Sequence, residues 1–295
     1  MSLATRFTVG RFTCWTLEGG RQWLDGGAMF GVVPKPLWER RIRADERNRI
    51  PLALRCLLVE HPDGLVLVDT GLGNKESAKF RDIYGVANDG QGGPTQLEDA
   101  LREAGHAAAS VQWVINTHLH FDHAGGNTAR AGEETVLAFP NATYVVQKEE
   151  LGFASHTNER TAASYLPPNF APVAEANHFR LVHGEVAILP GIHLLPTPGH
   201  VPFHQSVLVQ DGGEAACFLG DLVPTAAHLP APWIMGYDLE PLVTLETKKR
   251  VLTRAAREQW QLVFEHDPEV ARARLAADAR HGYASEPVDT VRLAS

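Results

Sequence analysis

The sequence predicts an α+β protein, two β-sheets flanked by helices in one domain, and three observations predict it. Apolar runs of strand length are many, several pair across short turns, and only two stretches carry a clear helical period. The chain has 295 residues, 44% of them hydrophobic, which is ample for one large core over 1–295.

Taken in order, residues 5–17 and 53–60 read as strands, and CLLVEHPDGLVLVDTG is a hairpin turning at Pro62-Asp63-Gly64 and ending at Asp69. Between them, about 18–50, Gly26, Gly27, Gly31, Pro34 and Pro36 break any regular period, so a long apolar covering loop is expected. Thr95 and Glu98 stand at capping-box spacing, and Leu97, Ala100, Leu101 and Ala104 share one face, which predicts a helix over 95–105 closed by Gly105. VQWVIN follows as a strand. Further strands are expected near 142–147, 179–182, 186–189 and 192–195, then a hairpin turning at Asp211-Gly212-Gly213. A helix over 244–259 with Leu245, Leu252, Ala255 and Ala256 inward precedes the short strand QLVFEH, and the C-terminal text alternates well enough for an edge hairpin.

Charge narrows the function. With 27 Lys+Arg against 35 Asp+Glu the formal net charge is −8, so no basic field exists to hold a phosphate backbone, and nucleic acid is excluded as a partner. No apolar run suits a signal peptide or a membrane span. Cys14, Cys56 and Cys217 are odd in number and set in apolar text, so they read as buried thiols and a reducing cytoplasm as the location.

The chemistry starts at THLHFDHAGG, Thr117–Gly126. His118 and His120, two apart on an extended segment, point the same way, while Asp122 and His123 come from the turn that follows. Four ligands in six residues can be shared between two ions. Three distant residues also end apolar strands at turns: His200 in TPGH, Asp221 in FLGD and His266 in FEH. His204 follows His200 by four, but Pro198, Gly199 and Pro202 make that stretch a loop, so His200 alone is taken as a ligand. His204, His228, His183 and His193 read as hydrogen-bonded or exposed histidines.

HLHFDH, TPGH, the Asp of LGD and the His of FEH, in this order over about 53–267, resemble the metallo-β-lactamase superfamily. The resemblance implies an αββα four-layer sandwich with two divalent metal ions at one edge of the paired sheets. His118, His120 and His200 would hold the first ion, Asp122, His123 and His266 the second, and Asp221 would bridge both. Asp69, in VLVDTG, would orient a ligand histidine. Such a set suits zinc, manganese, iron or cobalt, zinc being the first expectation. The reaction expected is hydrolysis of an ester-like bond by a metal-bridged hydroxide, with Asp122 passing a proton to the leaving group.

The texts DGGAMFGVVPKPLWE, GDLVPTAAHLPAPWIMGYD and FEHDP are similar to a quorum-quenching branch, the YtnP-like N-acyl homoserine lactonases. Met29, Phe30, Val32, Val33 and Trp233 are expected to line an apolar groove for an acyl chain. Better-known homoserine lactonases carry a tyrosine three residues after the bridging aspartate; here that position is Pro224, and His228 or Tyr237 is the expected substitute for polarising the carbonyl. The departure keeps an organophosphate hydrolase of the methyl parathion type as the alternative. A glyoxalase II-like thioesterase is weaker, since 269–295 offers only Arg272, Arg274, Arg280 and Arg292 amid acids. A non-catalytic metal-binding protein is weakest, because a structural site would close with four ligands. The expected partner is a small ester or lactone, with the N-terminal apolar loop as a homodimer contact.

Overall fold

Period-two alternation sets which way each strand faces, and in this chain it builds two sheets that share one interior. The computed structural model describes residues 2–278 and 282–291; Arg280 and Arg292 lie outside the described residues. The first sheet opens with an antiparallel meander of β1 (Ala4–Val9), β2 (Phe12–Asp25), β3 (Arg49–His61) and β4 (Gly64–Val68). β5 (Val111–Ile115), β8 (Thr143–Gln147) and β9 (Phe179–Val182) then add in parallel, while β6 (Thr128–Ala131) and β7 (Glu134–Leu137) form a separate ribbon. The second sheet runs in chain order through β10 (Val186–Leu189), β11 (Ile192–Pro196), β12 (Gln205–Asp211), β13 (Glu214–Phe218), β14 (Gln261–Val263), β15 (Val270–Asp278) and β16 (Gly282–Thr290). Within it, β13 and β14 are the parallel pair.

Val207 and Val209 of β12 face the first sheet and meet Leu57, Val59, Val66 and Val68 there, while Leu208 faces outward to a different cluster. Outside the first sheet, the eight-residue helix Gln96–Glu103, α4 in chain order, buries Leu97, Ala100 and Leu101 against Cys56, Leu58 and Leu67. Outside the second sheet, α8 (Pro241–Arg257) packs Val251, Leu252 and Ala255 against Leu208, Cys217 and Leu262. The layers are therefore helix, sheet, sheet, helix. Truncating an interior side chain such as Phe218 to alanine would cost roughly 3–5 kcal/mol, because such a core cannot collapse around the void.

Several boundaries differ from the sequence reading. The run 5–17 is two strands, because Gly10, at φ +55°, supplies the turn of a hairpin between β1 and β2. The stretch 18–50 is not one loop. β2 continues to Asp25, absorbing Gly19 and Gly20 at a register shift between Glu18 and Arg21. The Asp25 carboxylate then accepts from Ala28 N and starts α1 (Gly26–Phe30), and proline at the first turn starts α2 (Lys35–Trp38). The glycines and prolines thus act as a bulge and as caps. The later helix begins at Pro241, and its buried face is Thr244, Thr247, Lys248, Val251, Leu252 and Ala255, with Leu245 and Ala256 half-buried. No helix among the described residues is long and apolar enough to cross a membrane.

Candidate dimetal site

Every candidate ligand lies just beyond the C-terminal end of a strand, on one edge of the paired sheets. Asp69 follows β4 and Thr117 follows β5; the segment from His118 to His120 stays extended until α5 (Phe121–Ala124) turns Asp122 and His123 back toward it. His200 follows β11, Asp221 follows β13 and His266 follows β14. A strand end can present a buried side chain to a concavity without breaking its own ladder, which is why these positions converge.

The structure brings all seven predicted residues together in two groups. Ligand atoms of His118, His120, His200 and Asp221 lie within 4.8 Å of one another, as do those of Asp122, His123 and His266. Asp221 belongs to both in geometry: its Oδ2 is 3.0 Å from His200 Nε2 and its Oδ1 is 3.2 Å from His266 Nε2.

The donor set fits cations. His118 Nε2 is buried with no hydrogen-bond partner among the described residues. His200 Nε2 faces His120 Nδ1 at 3.2 Å, and His266 Nε2 faces His123 Nε2 at the same distance. Two imidazole lone pairs do not sit at that separation without a proton or cation to share.

Outer partners fix the rings. Asp69 accepts from Thr117 N and Thr117 Oγ1, both at 2.7 Å, and stands 3.0 Å from His123 Nδ1. Glu265 Oε2 is 2.9 Å from the same nitrogen. His200 Nδ1 meets Asp238 Oδ1 at 2.9 Å, and His266 Nδ1 donates to Ala53 O at 2.8 Å. Glu150, on α6 (Lys148–Ser155), accepts from Leu119 N at 3.0 Å and from the Tyr165 hydroxyl at 2.9 Å, pinning the backbone between His118 and His120.

Charge sets the individual rings apart. Burial, then the neighbouring imidazoles, pushes His118 and His120 well below the usual histidine range, whereas Asp221 and the hydrogen-bonded Asp238 overcome burial and raise His200 above it. Burial acts the same way on His123, yet Glu265, Asp221 and Asp122 outweigh it and hold that ring well above the range. His266 is likewise raised to about 9, with Asp221 overcoming burial.

A cleft of about 200 Å³ opens onto the ligands. Leu24, Met29, Leu52 and Met235 give it an apolar wall, and Tyr84, Tyr237 and Arg160 stand among its polar lining. Burial, then Tyr84, Asp25 and Asp122, pushes Tyr237 up to about 12, so its hydroxyl keeps its proton at neutral pH. Gln22 Nε2 donates to Asp122 Oδ2 at 2.5 Å.

Of the five residues expected to form a groove, Met29 alone lines this cleft. Phe30 is fully buried, stacked between Trp38 and His228; Val33 and Trp233 pack in the same cluster; Val32 is 92% exposed. The text of residues 29–33 is apolar because it builds a satellite core that backs the wall. His228 does not line the cleft either. Its Nε2 meets Met29 O at 2.8 Å and its Nδ1 meets Thr225 Oγ1 at 2.7 Å, so both ring nitrogens are engaged. Sequence reasoning missed Gln22, Tyr84, Glu150, Asp238 and Glu265; Glu265 alone carried a local signal, as the acid beside His266.

Lys248 also escaped notice. It is buried on α8, and its Nζ donates to the carbonyls of His228, Pro230 and Trp233 at 2.9, 3.1 and 2.7 Å. These contacts hold the segment that carries Met235 and Tyr237 to the body of the second sheet.

Comparisons with known proteins agree with this geometry. A family model described as the metallo-beta-lactamase superfamily matches residues 50–271. A Bacillus protein named N-acyl homoserine lactonase is 31% identical over 233 residues, 76% of this chain and 84% of its own. A solved structure of a probable metal-dependent hydrolase from Staphylococcus aureus superposes with a TM-score of 0.87 at 30% identity, over 97% of this chain and 100% of that one. A dizinc quorum-quenching lactonase, solved in complex with a product, shares the fold with a TM-score of 0.81 at 20% identity, over 99% of this chain and 100% of that one. With the strand-end ligands and the four layers already in place, the matched family completes the assignment: this chain belongs to the metallo-beta-lactamase superfamily.

Proposed function

We propose that the protein hydrolyses the lactone ring of N-acyl homoserine lactones with two zinc ions. The observation that carries this reading is the joining of seven nitrogen and oxygen ligands to a cleft with one apolar wall, Leu24, Met29, Leu52 and Met235, of a kind suited to an acyl chain. The relative named N-acyl homoserine lactonase, 31% identical over three quarters of the chain, supports the same substrate.

His118, His120 and His200 would hold one ion, Asp122, His123 and His266 the other, with Asp221 shared. When bound, such a pair supplies Lewis acidity and an acidified water at neutral pH. The chain's own residues do the rest. The apolar wall excludes water from the acyl side, and Tyr237 donates its hydroxyl hydrogen toward the ester carbonyl in place of the tyrosine missing at Pro224. Water adds to the acyl carbon, the ring C–O bond breaks, and Asp122 delivers the proton that the alcohol oxygen takes. Asp69, Glu265 and Asp238 keep the rings oriented through this sequence.

Protein loaded with zinc is expected to release acid from a long-chain N-acyl homoserine lactone with kcat/KM above ~10⁴ M⁻¹s⁻¹. An intact lactone in the presence of enzyme carrying two ions per chain would overturn the substrate assignment. Tyr237→Phe should lower kcat by roughly 100-fold if its hydroxyl polarises the carbonyl. Because the phenol is raised to about 12, wild-type activity should show no loss from tyrosine ionisation below that pH.

Two further expectations belong to this reading. Cys14, Cys56 and Cys217 are buried and free, which supports work in a reducing cytoplasm. Val32 and Leu37, 92% and 48% exposed, support a contact with a second copy; a monomeric mass by light scattering would reject it.

A further inference from the structure

We propose that His204 is a positioning residue that sets the Asp221 carboxylate between the two ligand groups, through a chain of hydrogen bonds that begins and ends on the Gly220 turn. The proposal rests on the reading of the cluster as a metal centre, and not on the identity of the substrate.

The chain has two ends of fixed sense. Asp221 N–H can only donate, and it donates to His204 Nε2 at 3.1 Å. Leu219 O can only accept, and it accepts from Ser206 Oγ at 3.0 Å. Everything between is then determined. His204 Nε2 is a lone pair, so the ring proton sits on Nδ1 and goes to Thr197 Oγ1, 2.8 Å away. Ser206 has spent its hydrogen on Leu219 O, so Thr197 must donate to Ser206 Oγ across 3.1 Å. Each hydroxyl gives once and receives once, and all five residues of the chain are buried. No rotation of one member is free unless a buried polar atom loses its partner.

Space enforces the same arrangement. Gly220 has φ +52°, and a Cβ there would lie 2.7 Å from His204 Nε2 and 3.0 Å from Thr117 Cγ2. The ring is therefore seated directly on the backbone that aims Asp221, and only glycine admits it. On the other side the His204 ring is 5.1 Å from that of His118.

The next residue ties in the first sheet. Gln205 N donates to Thr117 O at 3.0 Å, and Gln205 Nε2 donates to Asn116 O at 2.8 Å. Asn116 and Thr117 lead directly into His118. The dipeptide at 204–205 thus holds the Asp221 turn of the second sheet with one side chain and the histidine loop of the first with the other. The distance between the two ligand-bearing loops is set by this pair of consecutive residues.

The test separates positioning from space-filling. His204→Phe preserves most of the ring volume but cannot accept from Asp221 N, whereas His204→Gln offers an amide oxygen for that purpose. In cobalt-substituted protein, His204→Phe is expected to alter the visible d–d spectrum and to weaken metal affinity on the order of 10–100-fold, with His204→Gln restoring most of both. A folded His204→Phe with wild-type spectrum and affinity would overturn the proposal. If His204→Phe does not fold, Thr197→Val removes only the hydroxyl that receives the ring proton; it should shift the spectrum in the same direction, and an unchanged spectrum and affinity would overturn the proposal equally. A wild-type protein that binds cobalt normally yet leaves lactones intact would remove the substrate assignment and leave this inference standing.

Discussion

The two ligand groups share Asp221 but are supported by opposite means. Behind His123 stand two buried carboxyl groups, Asp69 and Glu265, while the histidines of the other group face a hydroxyl, an aromatic ring and one carboxylate. Thr117 Oγ1 is 3.1 Å from His118 Nδ1, and the Tyr165 ring lies 4.6 Å from that of His120. In the first group burial holds His118 and His120 neutral, ready as lone-pair donors, while Asp221 and Asp238 raise His200 against burial. The second has excess negative charge that a cation would neutralise. One centre can in this way combine a site built for coordination with a site built for charge compensation.

The sharpest challenge to this contrast is removal of what the groups share. Asp221→Ala should abolish loading of both positions and lower kcat by about 10³-fold, equivalent to roughly 4 kcal/mol; metal analysis showing one ion still tightly held would mean that the groups are more independent than their geometry suggests. Next comes the pair His123→Ala and His118→Ala, compared without metal by thermal unfolding. Above about pH 8, removing His123 strands the Asp69 and Glu265 carboxylates in the interior, so that variant should there lose about 3 kcal/mol more than the other. Equal losses would erase the electrostatic distinction. The gap should narrow as the pH falls through about 8, because Glu265, raised by burial to about 8, is protonated below that value and a neutral carboxyl needs no cationic partner. The smallest effect is expected for Asp238→Asn, which leaves an amide against His200 Nδ1; metal affinity of the first group should fall about tenfold, measured by competition with a chelator.

The sequence exposed the candidate ligands far better than their supports. HLHFDH announces itself because imidazoles and a carboxylate are crowded into one turn, and His200, Asp221 and His266 follow from a rule that needs only local text: a polar residue where an apolar strand stops. Asp238 and Gln22 obey no such rule. Gln22 reaches Asp122 across 100 positions, and Asp238 reaches His200 across 38, so their roles exist only after the strands are assembled. The errors have the same origin. Phe30 and His228 looked like cleft residues because they are apolar and polar members of unusual loops, yet they stack on each other at 4.5 Å behind the wall. Periodicity shows that a residue is buried, but not which of two adjacent cavities buries it. Likewise glycine and proline mark a break in the backbone without saying whether the break is a loop, as expected for 18–50, or a bulge and two caps, as found.

Lys248 has a consequence for how such an enzyme can change. Its three acceptors are main-chain carbonyls, which every amino acid possesses, so the clamp recognises the path of the segment and is indifferent to the side chains along it. Met235 can therefore be exchanged, reshaping what the wall admits, while the chain between His228 and Trp233 stays moored to α8. The shape of the wall can change without the candidate ligands having to be rebuilt, because wall and centre are fastened to the same scaffold by different kinds of bond.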